Sequence, residues 1–138
     1  MRKKKIEYKD YKARNTVSNI LDIITKNIIN NFDPDLIILF GLYSYENMIN
    51  TPIREASGDI DILIVKDDEE LAKLDVADRS LYLNKYISGI NKIININIWM
   101  FTPEEIKQRK KSKDLFINYI FEKHKVLYKK EEVVSEAA

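Results

Sequence analysis

Gly58-Asp59-Ile60-Asp61-Ile62-Leu63-Ile64-Val65 is the stretch on which the reading of this chain turns. Asp59 to Val65 reads as a β-strand, in which side chains alternate between two faces. Ile60, Ile62 and Ile64 then fill one face. Asp59 and Asp61 share the other, and Leu63 and Val65 continue that face into a core. The aspartate Cα atoms stand about 6.6 Å apart at the usual strand rise. Both carboxylates can therefore converge on one hard cation or bridge two. Neighbouring carboxylates beside apolar surface repel each other and are poorly solvated, and a bound Mg²⁺ offsets both penalties. A bare Asp-x-Asp also fits the solvent-facing side of an amphipathic strand, because short motifs have high false-positive rates.

Working outward, Leu36-Ile37-Ile38-Leu39-Phe40 is a continuous apolar run, the pattern of a strand buried on both faces, and Gly41 closes it. Before it, Val17, Ile20, Leu21, Ile24 and Ile28 keep the i, i+3, i+4 spacing of an amphipathic helix, ended by Asn30-Asn31 and Asp33-Pro34. Residues 42–58 read as a long loop with room for a short helix, and loops of that length are usually functional or mobile. After the Asp-x-Asp strand, Asp67 to Glu70 is a turn and helix start. Leu71, Leu74, Ala77, Leu81 and Tyr82 then follow helical spacing toward Gly89. Ile93 to Phe101 is a third strand, with Ile94, Ile96, Ile98 and Met100 on one face and Ile93, Asn95, Asn97, Trp99 and Phe101 on the other. Thr102-Pro103-Glu104-Glu105 is a helix start with an N-cap threonine, proline at N1 and glutamate completing a capping box. A helix with Lys107, Arg109, Lys110 and Lys111 follows. Next comes a stretch with Leu115, Phe116, Tyr119 and Ile120 on one face, then a short final strand at Lys125-Val126-Leu127-Tyr128. Lys3 to Lys5 and the tail from Lys129 to Ala138 are expected to fray. This order predicts an α/β (α+β) fold, a mixed sheet packed with helices.

With 138 residues, 45% of them hydrophobic, one domain spanning 1–138 is expected, its core covering about residues 17–128. Lys plus Arg number 23 and Asp plus Glu 22, so the net charge is +1 and no strong nucleic-acid signal is present. The absence of cysteine excludes disulfides, Cys-type zinc sites and cysteine nucleophiles. The single histidine, His124, excludes a multi-histidine metal site. A metal here would be held by oxygen, which points to Mg²⁺, Mn²⁺ or Ca²⁺. Met1-Arg2-Lys3-Lys4-Lys5 is followed by Glu7, Tyr8, Lys9 and Asp10, which does not make a signal peptide. No apolar run approaches the roughly 20 residues of a membrane span. A cytoplasmic protein without a membrane partner is the expectation.

The sequence Leu39-Phe40-Gly41, then a loop, then Ser57-Gly58-Asp59-Ile60-Asp61-Ile62-Leu63-Ile64-Val65 resembles the DNA polymerase β-type nucleotidyltransferase superfamily, in particular its small single-domain members. Ile96-Asn97-Ile98-Trp99-Met100-Phe101-Thr102-Pro103-Glu104-Glu105 is similar to the family's third strand and following helix. Lys123-His124-Lys125-Val126-Leu127-Tyr128 is similar to its usual ending. The resemblance implies a nucleotidyltransferase-like sheet and two-metal phosphoryl transfer. Asp59 and Asp61 would be catalytic and would hold Mg²⁺ (or Mn²⁺) with the triphosphate of a nucleotide. Gly41 would stand at the phosphates, and Ser44 would take the place of a family serine whose own position carries Leu42. Asn97 occupies the position of the family's third carboxylate. An asparagine offers a carbonyl oxygen but neither charge nor a base.

Two functions follow from the resemblance. One is a Mg²⁺-dependent nucleotidyltransferase that moves a nucleoside monophosphate from a nucleoside triphosphate to an acceptor hydroxyl, with activity weakened or lost through Asn97. The acceptor is left open among a protein, a small molecule, an antibiotic and a nucleic acid. The other is a catalytically degenerate nucleotide- or partner-binding module, such as the antitoxin of a toxin–antitoxin pair whose partner is a HEPN-type toxin; an oligomer is compatible with either. Three further features have local readings. The basic run from Lys107 to Lys113 suits a helix C-terminus, Arg54 in the long loop is a candidate phosphate contact, and Tyr43 or Tyr45 could stack a base.

Overall fold

The computed structural model describes residues 15–131, and the expectation of frayed ends at Lys3–Lys5 and at 132–138 lies outside the described residues. Among the described residues, four strands and five helices make a mixed α+β fold. Helix α1 (Val17–Phe32) is followed by β1 (Leu36–Phe40), three short 3₁₀ turns, β2 (Ile60–Val65), α2 (Glu69–Ala72), α3 (Val76–Leu83), β3 (Ile96–Phe101), α4 (Pro103–Lys111), α5 (Leu115–Glu122) and β4 (His124–Lys129). The sheet order is β3-β2-β1-β4. β1 runs antiparallel to both β2 and β4, whereas β2 and β3 are parallel.

The sheet carries apolar side chains on both faces. Ile37, Leu39, Ile60, Ile62, Ile64, Ile96, Ile98 and Met100 pack against the α1 stripe Val17, Ile20, Leu21, Ile24 and Ile28, with Leu71 and Leu83 closing the same cluster. Ile38, Phe40, Leu63, Val65 and Phe101 pack on the other face against Ile106 of α4 and Ile117 and Ile120 of α5. The alternation along β2 and β3 thus sorts side chains as the strand period requires. Thr16 caps α1 in a capping box with Asn19, and Thr102 caps α4 in one with Glu105.

Several elements differ from the sequence reading. The expected helix from 71 to 82 is two helices, because the Asp75 side chain accepts from Asp78 N and starts α3 afresh. The stripe rotates at that break: Leu81 and Tyr82 are exposed, and α3 buries Arg79 and Leu83 instead. Residues 42–58 hold the short helical turns that a long loop had room for, at Leu42–Ser44, Met48–Asn50 and Ile53–Glu55, and are packed onto the domain. Val17 N donates to Thr51 O, Ile53 N donates to Asn15 O, and the buried Tyr43 donates from its hydroxyl to Ser57 O at 2.7 Å. β3 starts at Ile96 and β4 reaches Lys129, while Lys130 pairs with Asp33 at 3.0 Å. The last helix buries Ile117 and Ile120, and leaves Leu115 and Tyr119 exposed.

Candidate functional site

The register of the sheet brings the candidate residues together. Phe40, the last residue of β1, pairs with Asp61, and Asp61 pairs with Asn97 across the parallel β2–β3 ladder. Asp59 lies just before β2 at the same sheet end. The Asn97 amide donates from Nδ2 to Asp59 Oδ2 at 3.0 Å and to Asp61 Oδ1 at 3.1 Å. Both protons of one amide nitrogen are thereby spent on the acidic pair. Asn97, at the position where the resemblance expects a third carboxylate, faces Asp59 and Asp61.

Asp61 is half-buried and Asp59 is exposed. Burial pushes the Asp61 carboxyl above the ordinary aspartate range, the Asn97 hydrogen bond pulls it back, and the Asp59 charge raises it further. The pair thus holds negative charge that one neutral amide only partly offsets.

Gly41 ends β1 with φ +75°, in the left-handed region, and a Cβ there would collide with Asp61 Oδ2. Only glycine gives both the turn and this close approach at no steric cost. The chain then enters a 3₁₀ turn at Leu42–Ser44. Ser44 is buried and donates from Oγ to Gly41 O at 2.6 Å, so its hydroxyl proton is engaged in holding the turn. Leu42 is exposed, and its side chain lies toward Gly58.

Beside Gly41 is a cavity of about 280 Å³ lined by Gly41, Ser44, Tyr45, Tyr119, Glu122 and Lys123. Lys123 Nζ stands 4.2 Å over the Tyr45 ring. Tyr119 packs edge-on against Phe40, with centroids 6.2 Å apart and planes at 87°. The sequence reading missed Tyr119, Glu122 and Lys123. Their i, i+3, i+4 spacing was a usable signal, masked because Leu115 to Phe121 is apolar nearly all round.

Other singled-out residues lie in structural settings. Tyr43 is buried, which withdraws it from stacking, whereas Tyr45 is exposed. Arg109 stacks on Phe101 and pairs with Asp114, and Lys110 stands 3.9 Å over Phe121. His124 Nδ1 lies 3.2 Å from Phe121 O. Arg54 is exposed on the third 3₁₀ turn.

The donor set bears on a metal. Among the described residues no group of three or more His, Cys, Asp or Glu side chains converges. Two carboxylates suit one Mg²⁺, which usually takes one or two carboxylates and completes its shell with water and substrate phosphates. A second cation would lack the third carboxylate. Asn97 would have to turn its Oδ1 inward to serve as a ligand.

No family model matches the chain, and no curated protein matches it. Among the described residues no helix is long and apolar enough to cross a membrane.

Proposed function

We propose that this chain is a minimal nucleotidyltransferase that binds a nucleoside triphosphate with Mg²⁺ (or Mn²⁺) at Asp59 and Asp61 and transfers the nucleoside monophosphate to an acceptor hydroxyl. The observation that carries this reading is the convergence of Asp59, Asp61 and Asn97 at one sheet end, with the Asp61 carboxylate against Gly41. Bound there, the cation would supply positive charge to phosphoryl oxygens on which negative charge builds. In the transfer, the acceptor oxygen bonds to the α-phosphorus, the bond to the bridging oxygen breaks, and pyrophosphate leaves. The acceptor's proton cannot go to Asn97, because an amide is no base. It passes to water, so turnover is slow. Gly41 leaves room for the Asp61 carboxylate beside the backbone, and Asp59 and Asp61 orient the ligand.

Calorimetry with ATP and Mg²⁺ tests the binding. Wild type is expected to bind, and Asp59→Ala with Asp61→Ala is expected to lose Mg²⁺-dependent affinity; no binding, or binding unchanged in the double variant, refutes the proposal. Pyrophosphate release is expected to rise in Asn97→Asp, which restores a carboxylate that can take the proton.

A second reading is a partner-binding module, an antitoxin whose partner is a HEPN-type toxin. It is favoured by Asn97 and Leu42 at positions where activity expects other residues, and by Leu115, which is 86% exposed on α5. Co-purification with the product of the neighbouring gene, lost in Leu115→Glu, is its expected outcome.

A further inference from the structure

We infer that the cavity beside Gly41 is the nucleoside half of the site, with Lys123 meeting the phosphates and the face of Tyr119 stacking the base, so that the ligand is a nucleotide and not an inorganic polyphosphate. The inference rests on the nucleotide reading above and adds residues that the resemblance does not supply.

Continuity comes first. Gly41 lines the cavity, and the Asp61 carboxylate lies against the same glycine. A ligand whose phosphates reach the acidic pair therefore extends over Gly41 into the cavity. Charge comes second. Two carboxylates repel a polyanion, and among the described residues Lys123 is the one cationic side chain in the cavity lining. Among the described residues Lys123 makes no ion pair; its ammonium rests 4.2 Å over the Tyr45 ring. A lysine parked on an aromatic face keeps its charge available for a phosphate at small cost, since such contacts at exposed sites are weak.

The rest of the lining selects the ligand class. Tyr119 is 55% exposed, and Phe40 braces its ring edge-on. A braced, half-exposed aromatic face is what base stacking uses. Glu122 would repel a bare polyphosphate, but it can accept from the hydroxyl or amino donors of a nucleoside. A volume of about 280 Å³ is near the lower end for small-ligand pockets and suits a nucleoside held on one side.

The test compares Mg²⁺·ATP with Mg²⁺·tripolyphosphate by calorimetry on the full chain. Wild type is expected to bind ATP about tenfold more tightly than tripolyphosphate, within the range of one base–aromatic stack. Tyr119→Leu, which keeps apolar bulk against Phe40, should lose that preference while tripolyphosphate affinity holds. Lys123→Gln should weaken both ligands. Equal ATP affinity in wild type, Tyr119→Leu and Lys123→Gln overturns the assignment while leaving the acidic-pair reading intact, provided Asp59→Ala with Asp61→Ala abolishes binding. Failure of wild type to bind ATP overturns both. Both side chains are at the surface of the cavity, and melting curves that overlay wild type would show the variants fold.

Discussion

At the residue scale, the site is a balance between two carboxylates and one amide. Burial and the Asp59 charge raise the Asp61 carboxyl. An acid whose pKa is higher folded than unfolded binds protons more readily in the folded state, so stability falls as pH rises through that window. Asp61→Asn removes the charge and keeps an oxygen that can accept from Asn97. It is expected to raise the Tm by a few degrees at neutral pH and to flatten the loss of stability above the ordinary aspartate range, measured by thermal melts across pH. Functional sites commonly trade stability for chemistry in this way. Asp59, Asp61 and Gly41 were legible in the sequence because a strand's period of two and a closing glycine are local rules. The bond of Asn97 to both carboxylates was not, because it depends on the parallel register between β2 and β3, which neither strand encodes alone.

At the scale of elements, Arg79 on α3 is the fixture that sequence reasoning passed over. It is 3% exposed, forms two hydrogen bonds to Glu105, and donates to the carbonyls of Ala72, Leu74 and Met100. Glu105 also completes the α4 capping box, so its carboxylate ties α4 to α3, and Arg79 carries the tie on to the end of α2. The Arg79 guanidinium beside Glu105 holds its carboxyl below the ordinary glutamate range. A carboxyl lowered by folding adds stability above its unfolded pKa and loses it as pH falls through the folded one. Glu105→Gln is expected to cost about 2 kcal/mol near neutrality, less than a fully buried pair would because the Glu105 side chain is 34% exposed, and to blunt the acid limb of a pH–stability profile measured by urea denaturation. The capping box was legible from Thr102-Pro103-Glu104-Glu105. The α2–α3 break was not, because Leu71, Leu74 and Leu81 keep a helical period that outweighs Asp75 in any local count. The buried face of α5 was equally hidden, since apolar residues surround that helix.

At the scale of the whole molecule, the sheet separates two apolar clusters, and β2 supplies both: Ile62 on the α1 side and Leu63 on the α4–α5 side. Two clusters sharing one strand should unfold together. Ile62→Ala and Leu63→Ala are each expected to cost about 3 kcal/mol and to shift a single transition. The fluorescence of Trp99, packed beside the Leu63 cluster, should report the same midpoint as far-ultraviolet circular dichroism; separated midpoints would show independent halves. The two outer strands differ in a way that reaches beyond stability. On β3, Ser80 donates to Ile98 O at 2.6 Å and Arg79 to Met100 O at 3.1 Å, so α3 occupies acceptors that another strand would need. Among the described residues, β3 is thereby closed to a strand from another chain, and on β4 Lys125 and Lys129 are charged residues of the kind that discourage edge pairing.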